Sequence, residues 1–173
     1  TVLATAPQRA IWLAINLATA ILAASVIAFY QDTIEKVVAL AVLMPIVASM
    51  GGIAGTQSLT VLIRAMAMGQ INDRTEIWLV RREIFVSIIN GLIWAFVIAV
   101  IAAYWFDDTT LGLIIAFAII INLITAGIAG ASLPLILDRL RIDPALAGGV
   151  VLTTITDVVG FFAFLGVAAY FYN

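Results

Sequence analysis

Apolar positions along this chain come in long blocks separated by short polar punctuation, the pattern of helices that cross a membrane. Five blocks are long enough to do so, at about 11–30, 37–68, 84–106, 111–137 and 145–172. Residues 31–36 read as a short polar turn. The longest polar connection, 69–83, carries Arg74, Arg81 and Arg82. Within it Ile77, Trp78, Leu79 and Val80 sit between charges, which predicts a lead-in to the third span lying along the membrane surface. The second block is unusual in holding Pro45, Gly51, Gly52 and Gly55. Such residues at membrane depth are tolerated where neighbouring helices or a wet cavity satisfy the freed backbone groups, so accessible backbone carbonyls are expected there. The predicted fold is an all-α integral membrane protein of five transmembrane helices, with residues 1–173 forming a single transmembrane domain.

Composition agrees with this pattern. Of the 173 residues, 65% are hydrophobic and 10% charged, against about 45–50% and about 25% in soluble domains. A net charge of −2 without a basic run gives no sign of nucleic acid binding, and the partner that composition does imply is the lipid bilayer. The chain contains neither Cys nor His. That removes disulfides, thiolate chemistry and imidazole ligands, so any metal must be held by oxygen, as Mg²⁺, Ca²⁺ and Mn²⁺ are. The chain opens with Thr1 and shows no basic leader, so the first block is expected to be retained as a span and the chain to be either a piece of something longer or a minimal protein.

Basic residues predict the orientation. With the N-terminus inside, Arg9, Arg64, Arg74, Arg81, Arg82, Arg139 and Arg141 all lie on or beside cytoplasmic segments of a plasma (inner) membrane, and only Lys36 falls outside, as does the C-terminus. Asp107 and Asp108 would then sit at an external mouth able to concentrate cations, or serve simply as a solvated helix stop.

The position that most needs explaining is Asp157. It lies about 18 Å into the fifth span, counting about 1.5 Å per residue from Ala145, where a carboxylate costs about 2.5–3.5 kcal/mol on insertion scales. Gly149, Thr153, Asp157 and Gly160 recur at spacings of four, four and three and share one helix face, with Thr156 beside it. The second span offers a matching stripe in Ser49, Gly52, Thr56 and Thr60, flanked by Gly55 and Gln57. Close packing between helices accounts for small residues in such a stripe equally well. It also accounts for the echo of Gly52-Ile53-Ala54-Gly55 in Gly127-Ile128-Ala129-Gly130. Asp157 is expected to be the only deep carboxylate, and no cationic side chain sits mid-span to neutralise it, which favours an external cation. Mg²⁺ usually keeps several waters while contacting one or two carboxylates, and threonine hydroxyls and carbonyls accept hydrogen bonds from such waters. The same donors do not separate Mg²⁺ from Mn²⁺ or Co²⁺. Enzymatic readings find no support: a single deep carboxylate cannot form an aspartyl protease dyad, no His can serve a triad, and no phosphate-cradling loop is present.

At these residues the sequence resembles the transmembrane domain of the MgtE family of magnesium channels. The likeness runs over nearly the whole chain. It includes Arg9 with Trp12 and Leu13; Met44-Pro45 leading to Gly51-Gly52 and Gly55-Thr56-Gln57-Ser58; Arg64; and Arg82-Glu83. Further on come Leu133-Pro134-Leu135, Asp143-Pro144-Ala145 and, most specific, Thr153-Thr154-Ile155-Thr156-Asp157 with Gly160. The resemblance implies a homodimer whose ion path runs between subunits, lined by the second and fifth spans, with Asp157 matching the carboxylate that holds Mg²⁺. It also implies cytosolic Mg²⁺-sensing regions, an N-terminal helical domain and paired CBS domains, of which this sequence contains none. Three positions depart from the family pattern: Ile53 where Asn is common, Ile11 where Pro is frequent, and Gly149 where some members carry a polar side chain.

Three functions follow as alternatives. In the first, Asp157 from each subunit binds a largely hydrated Mg²⁺ in a channel. In the second, the same Asp serves a proton- or sodium-coupled secondary transporter of divalent cations. The sequence argues against this second reading by offering no second buried ionisable group. In the third, the chain is a membrane assembly module and Asp157 merely hydrogen-bonds a neighbouring helix.

Overall fold

A computed structural model describes residues 2–173, with side chains from Thr5 onward. Six helices follow one another: α1 (Val2–Phe29), α2 (Gln31–Lys36), α3 (Ala39–Ala67), α4 (Asp73–Phe106), α5 (Thr109–Arg139) and α6 (Pro144–Tyr172). Five of them are long and apolar enough to cross a membrane. Each coincides with most or all of a predicted span. The turn expected at 31–36 is instead the short helix α2, whose Thr33 is buried.

The largest difference lies ahead of the third span. No surface segment precedes it, because α4 runs without a break from Asp73 for 34 residues. A capping box starts it: the Asn72 side chain accepts from the Arg74 and Thr75 backbone N–H groups, and Thr75 Oγ1 accepts from Asn72 N–H at 2.8 Å. Arg82 then lies over the Trp78 ring at 5.7 Å, and Glu76 pairs with Arg139 at 2.7 Å, so this first part of α4 is tied down by its own charges. At the other end Asp107 adopts a left-handed conformation (φ 51°) that stops α4, and Asp108 caps α5 by accepting from Leu111 N–H. Asp143 and Pro144 open α6 in the same manner, through a hydrogen bond from Ala145 N–H to Asp143 Oδ1.

The central helix is α5, which packs against α3, α4 and α6, while α1 packs on α6. Its fully buried residues include Ile115, Ala118, Ile119, Asn122 and Ala126. Glycines let the helices close on one another. A Cβ on Gly130 of α5 would lie 2.5 Å from the Gly55 carbonyl of α3, and one on Gly127 would lie 2.0 Å from Ser87 Oγ of α4. Of the echoed glycines, Gly55, Gly127 and Gly130 are thus helix-packing positions, Gly130 lying on the Gly55 carbonyl, whereas Gly52 meets nothing within 4 Å.

Candidate ion site

On α6 the buried residues Gly148, Leu152, Thr156, Gly160, Phe164 and Ala168 fall every four positions. A spacing of four turns about 40° further round the helix at each step, so this row winds across the helix surface instead of following its axis. The row packs on α3 in antiparallel register. Leu59 lies against Gly148, Leu152 against Gly55, and Val47 against Gly160. This register sets Asp157 level with Met50, between Ser49 and Gly52.

The winding row separates the predicted stripe into two groups. Thr156 has no exposed surface, and its hydroxyl is spent on the Leu152 and Thr153 carbonyls of its own helix. Gly160 is buried against Asn122 and Val47. Neither residue lines the open face of the subunit, a correction to the sequence-based expectation. Gly149, Thr153 and Asp157 remain partly exposed, and a side chain at Gly149 would meet nothing within 4 Å. Thr153 Oγ1 donates back to the Gly149 carbonyl at 2.9 Å, leaving its lone pairs as acceptors.

On α3 the outcome is more uniform. Ser49, Thr56 and Thr60 are exposed, Gly52 is partly exposed with open space where a side chain would be, and Ile53, Gln57 and Arg64 share that exposed surface. The carbonyls expected to be accessible in this stretch are not freed by a break in the helix. The chain is helical from Ala39 to Ala67, so carbonyls here are engaged in the helix ladder, and those of Gly52 and Thr56 also accept from the Thr56 and Thr60 hydroxyls at 2.8 Å. Pro45, which has no N–H to donate, removes one rung without breaking the helix.

Asp157 makes no hydrogen bond or ion pair with any described residue. Among the described residues no group of three or more acidic side chains comes together that could hold a metal within one subunit. A cation at Asp157 would therefore need water or a second chain to complete its oxygen shell. A cleft of about 840 Å³ lies elsewhere, between α1 and α6 beside Arg9, Trp12 and Leu146.

Asp157 is also not the only buried carboxylate. Glu83 is 6% exposed on α4 and accepts from Ser58 Oγ of α3 at 2.9 Å. The sequence placed it at a span boundary, as the last residue of the polar connection 69–83. The signal that could have found it is its spacing of four from Ser87 on a helix face otherwise built of small residues.

Of the two acidic residues at the α4–α5 turn, Asp107 is exposed and Asp108 is engaged. Asp108 accepts from the Tyr172 hydroxyl and from the α5 backbone. Partial burial works against its charged form, but the Tyr172 hydroxyl and the Leu111 and Thr110 N–H groups outweigh it and hold the carboxyl below its usual range. Asp108 thus caps a helix and ties α5 to the end of α6.

The fold and this surface define a multi-pass membrane protein with helix-borne oxygen donors. Residues 44–167 match the MgtE family, described as a divalent cation transporter, and the chain belongs to that family of transporters. Magnesium transporter MgtE of Bacillus subtilis is 35% identical over 164 residues, covering 95% of this chain and 36% of the relative. The proteins of the same name from Enterococcus faecalis and Thermus thermophilus are 30% and 32% identical. They cover 96% and 92% of this chain and 37% and 35% of their own lengths. The chain thus spans little more than a third of the length of these relatives.

Proposed function

We propose that the chain forms the ion path of a divalent cation channel, with Mg²⁺ as the favoured ion and Asp157 from two copies facing each other across a homodimer. The observation that carries this reading is the state of Asp157: a half-buried carboxylate in mid-helix, without a cationic or hydrogen-bonding partner, on the open side of the subunit. Such a group is costly in a membrane unless a cation faces it. One carboxylate per chain suits an ion that keeps most of its water, and a second chain doubles the charge without crowding the path. Thr153 and Gly149 on α6 and Ser49, Gly52, Thr56 and Thr60 on α3 would line the remainder, their hydroxyl oxygens accepting from the ion's hydration shell. The distribution of Arg residues supports an N-terminus inside and a C-terminus outside, so the ion would pass Asp157 from the α2 end toward the Arg64 end of α3.

The test is Mg²⁺ uptake by liposomes containing the purified chain. Asp157→Ala and Asp157→Asn should each lose at least about tenfold in flux, as expected when a pore's charged ligand is removed. Wild-type flux in both variants would overturn the reading.

Glu83 gives weight to a second reading, a coupled transporter of the same cations, since it is the second buried carboxylate that such a mechanism would use. Uptake driven by a proton or sodium gradient, and lost in Glu83→Gln, would favour that reading over a channel.

A further inference from the structure

Among the described residues, the one buried side-chain polar atom without a partner is Oδ1 of Asn122. Asn122 is fully buried on α5, and its Nδ2 donates to the Val47 carbonyl of α3 at 2.8 Å. That carbonyl lies within the continuous α3 ladder, so the amide uses its second lone pair. The amide also sits in a notch made by two glycines. A Cβ on Gly51 of α3 would come within 2.3 Å of Nδ2, and one on Gly160 of α6 within 2.7 Å. Real side chains cannot approach so closely, so either position would have to displace the amide. One side chain on the central helix is therefore wedged between α3 and α6, the two helices that carry the candidate ion path. The wedge lies close to the ion site: Gly160 is three residues, about 4.5 Å, beyond Asp157 along the axis, and Gly51 adjoins Gly52.

We infer that Asn122 is a positioning residue for the ion path. Its amide sets the spacing of α3 and α6 beside Asp157, and so the width that decides which divalent cation passes. This inference rests on the channel reading above. A wedge with a single hydrogen bond suits that role better than it suits stability. The unpaired Oδ1 costs free energy, which an apolar side chain would not. A residue present only to fill the core would not need to be polar, and glycine would not be needed on both of its neighbours.

The experiment compares Mg²⁺ and Ca²⁺ uptake by liposomes containing the purified chain. Asn122→Leu keeps the branched shape, adds bulk and deletes the donor, and Gly51→Ala pushes on the amide itself. Each is expected to lower the Mg²⁺ to Ca²⁺ ratio by about fivefold or more, the scale on which small misplacements at a site are felt, while size-exclusion behaviour stays that of the wild type. The double variant Gly51→Ala with Asn122→Ala is expected to recover part of the ratio, because the added methyl then occupies vacated space. Should Asn122→Leu fail to fold, Gly51→Ala and the double variant carry the test. Wild-type ratios in the folded variants, or a double variant whose ratio is no higher than that of Gly51→Ala alone, would overturn the inference. If Asp157→Asn abolishes flux while these ratios are unchanged, only the role of Asn122 is overturned. If Asp157→Asn conducts normally, the channel reading falls and this inference with it.

Discussion

Ser58 of α3 donates its hydroxyl to Oε2 of Glu83 on α4 at 2.9 Å, and both side chains are buried. Their helices otherwise touch little, each leaning on α5, so this hydrogen bond is a direct link between them. Ser58→Ala should cost about 1 kcal/mol, as interhelical hydrogen bonds in membranes do. Glu83→Gln, which keeps an acceptor oxygen, should cost less than Glu83→Ala, which also opens a cavity. Thermal unfolding in detergent measures the order. A Glu83→Ala transition equal to that of the wild type would show that the bond contributes nothing.

Glycines divide by position into those that pack and those that do not. Gly130→Ala would set a methyl 2.5 Å from the Gly55 backbone carbonyl, where no side chain can yield, so a loss of about 1–3 kcal/mol is expected. Gly52→Ala and Gly149→Ala enter open space inside helices and should leave the unfolding midpoint unlowered or slightly raised. If these two positions line the ion path, they should nevertheless alter Mg²⁺ uptake. The combination of undiminished stability and changed flux is the outcome to look for.

Asp108 links stability to pH. Its carboxyl titrates below the usual range when folded, so its contribution is complete above the unfolded pKa and is lost as pH falls through the lower folded value. Unfolding midpoints measured at neutral and acidic pH should therefore converge for wild type and Tyr172→Phe at the acidic end, with the wild type more stable near neutrality. A constant difference across that window would argue that Tyr172 does not act through Asp108.

Ile53 is 60% exposed on the same surface as Thr56 and Gln57. Because it is exposed, Ile53→Asn should fold normally. A polar side chain at that level favours hydration of the path, so Mg²⁺ uptake is expected to rise, by about two- to fivefold. Unchanged uptake would place Ile53 away from the ion.

Much of this protein was legible in its sequence, because a bilayer imposes a one-dimensional test. Twenty or so apolar residues in a row must become a helix, since no water is available to satisfy any other backbone. Each long helix accordingly covers most or all of its predicted span, and Asp157 stood out as a carboxylate in an apolar block. The same reasoning placed Ser49, Thr56 and Thr60 on one strip of α3, where the structure finds them together and exposed.

What only the tertiary structure decided is how each helix is turned about its own axis. Nearly every face of these helices is apolar, so hydropathy carries no rotational signal; the choice falls to shape, to which glycine admits which neighbour. That choice put Thr156 and Gly160 inside the bundle, one turn or less from an outward Asp157. It also brought Asn122 from a third helix into the gap between Gly51 and Gly160, and gave Glu83 a partner 25 residues away. A sequence records which residues a membrane will accept, but the packing of α5 against α3, α4 and α6 determines which of them can face an ion.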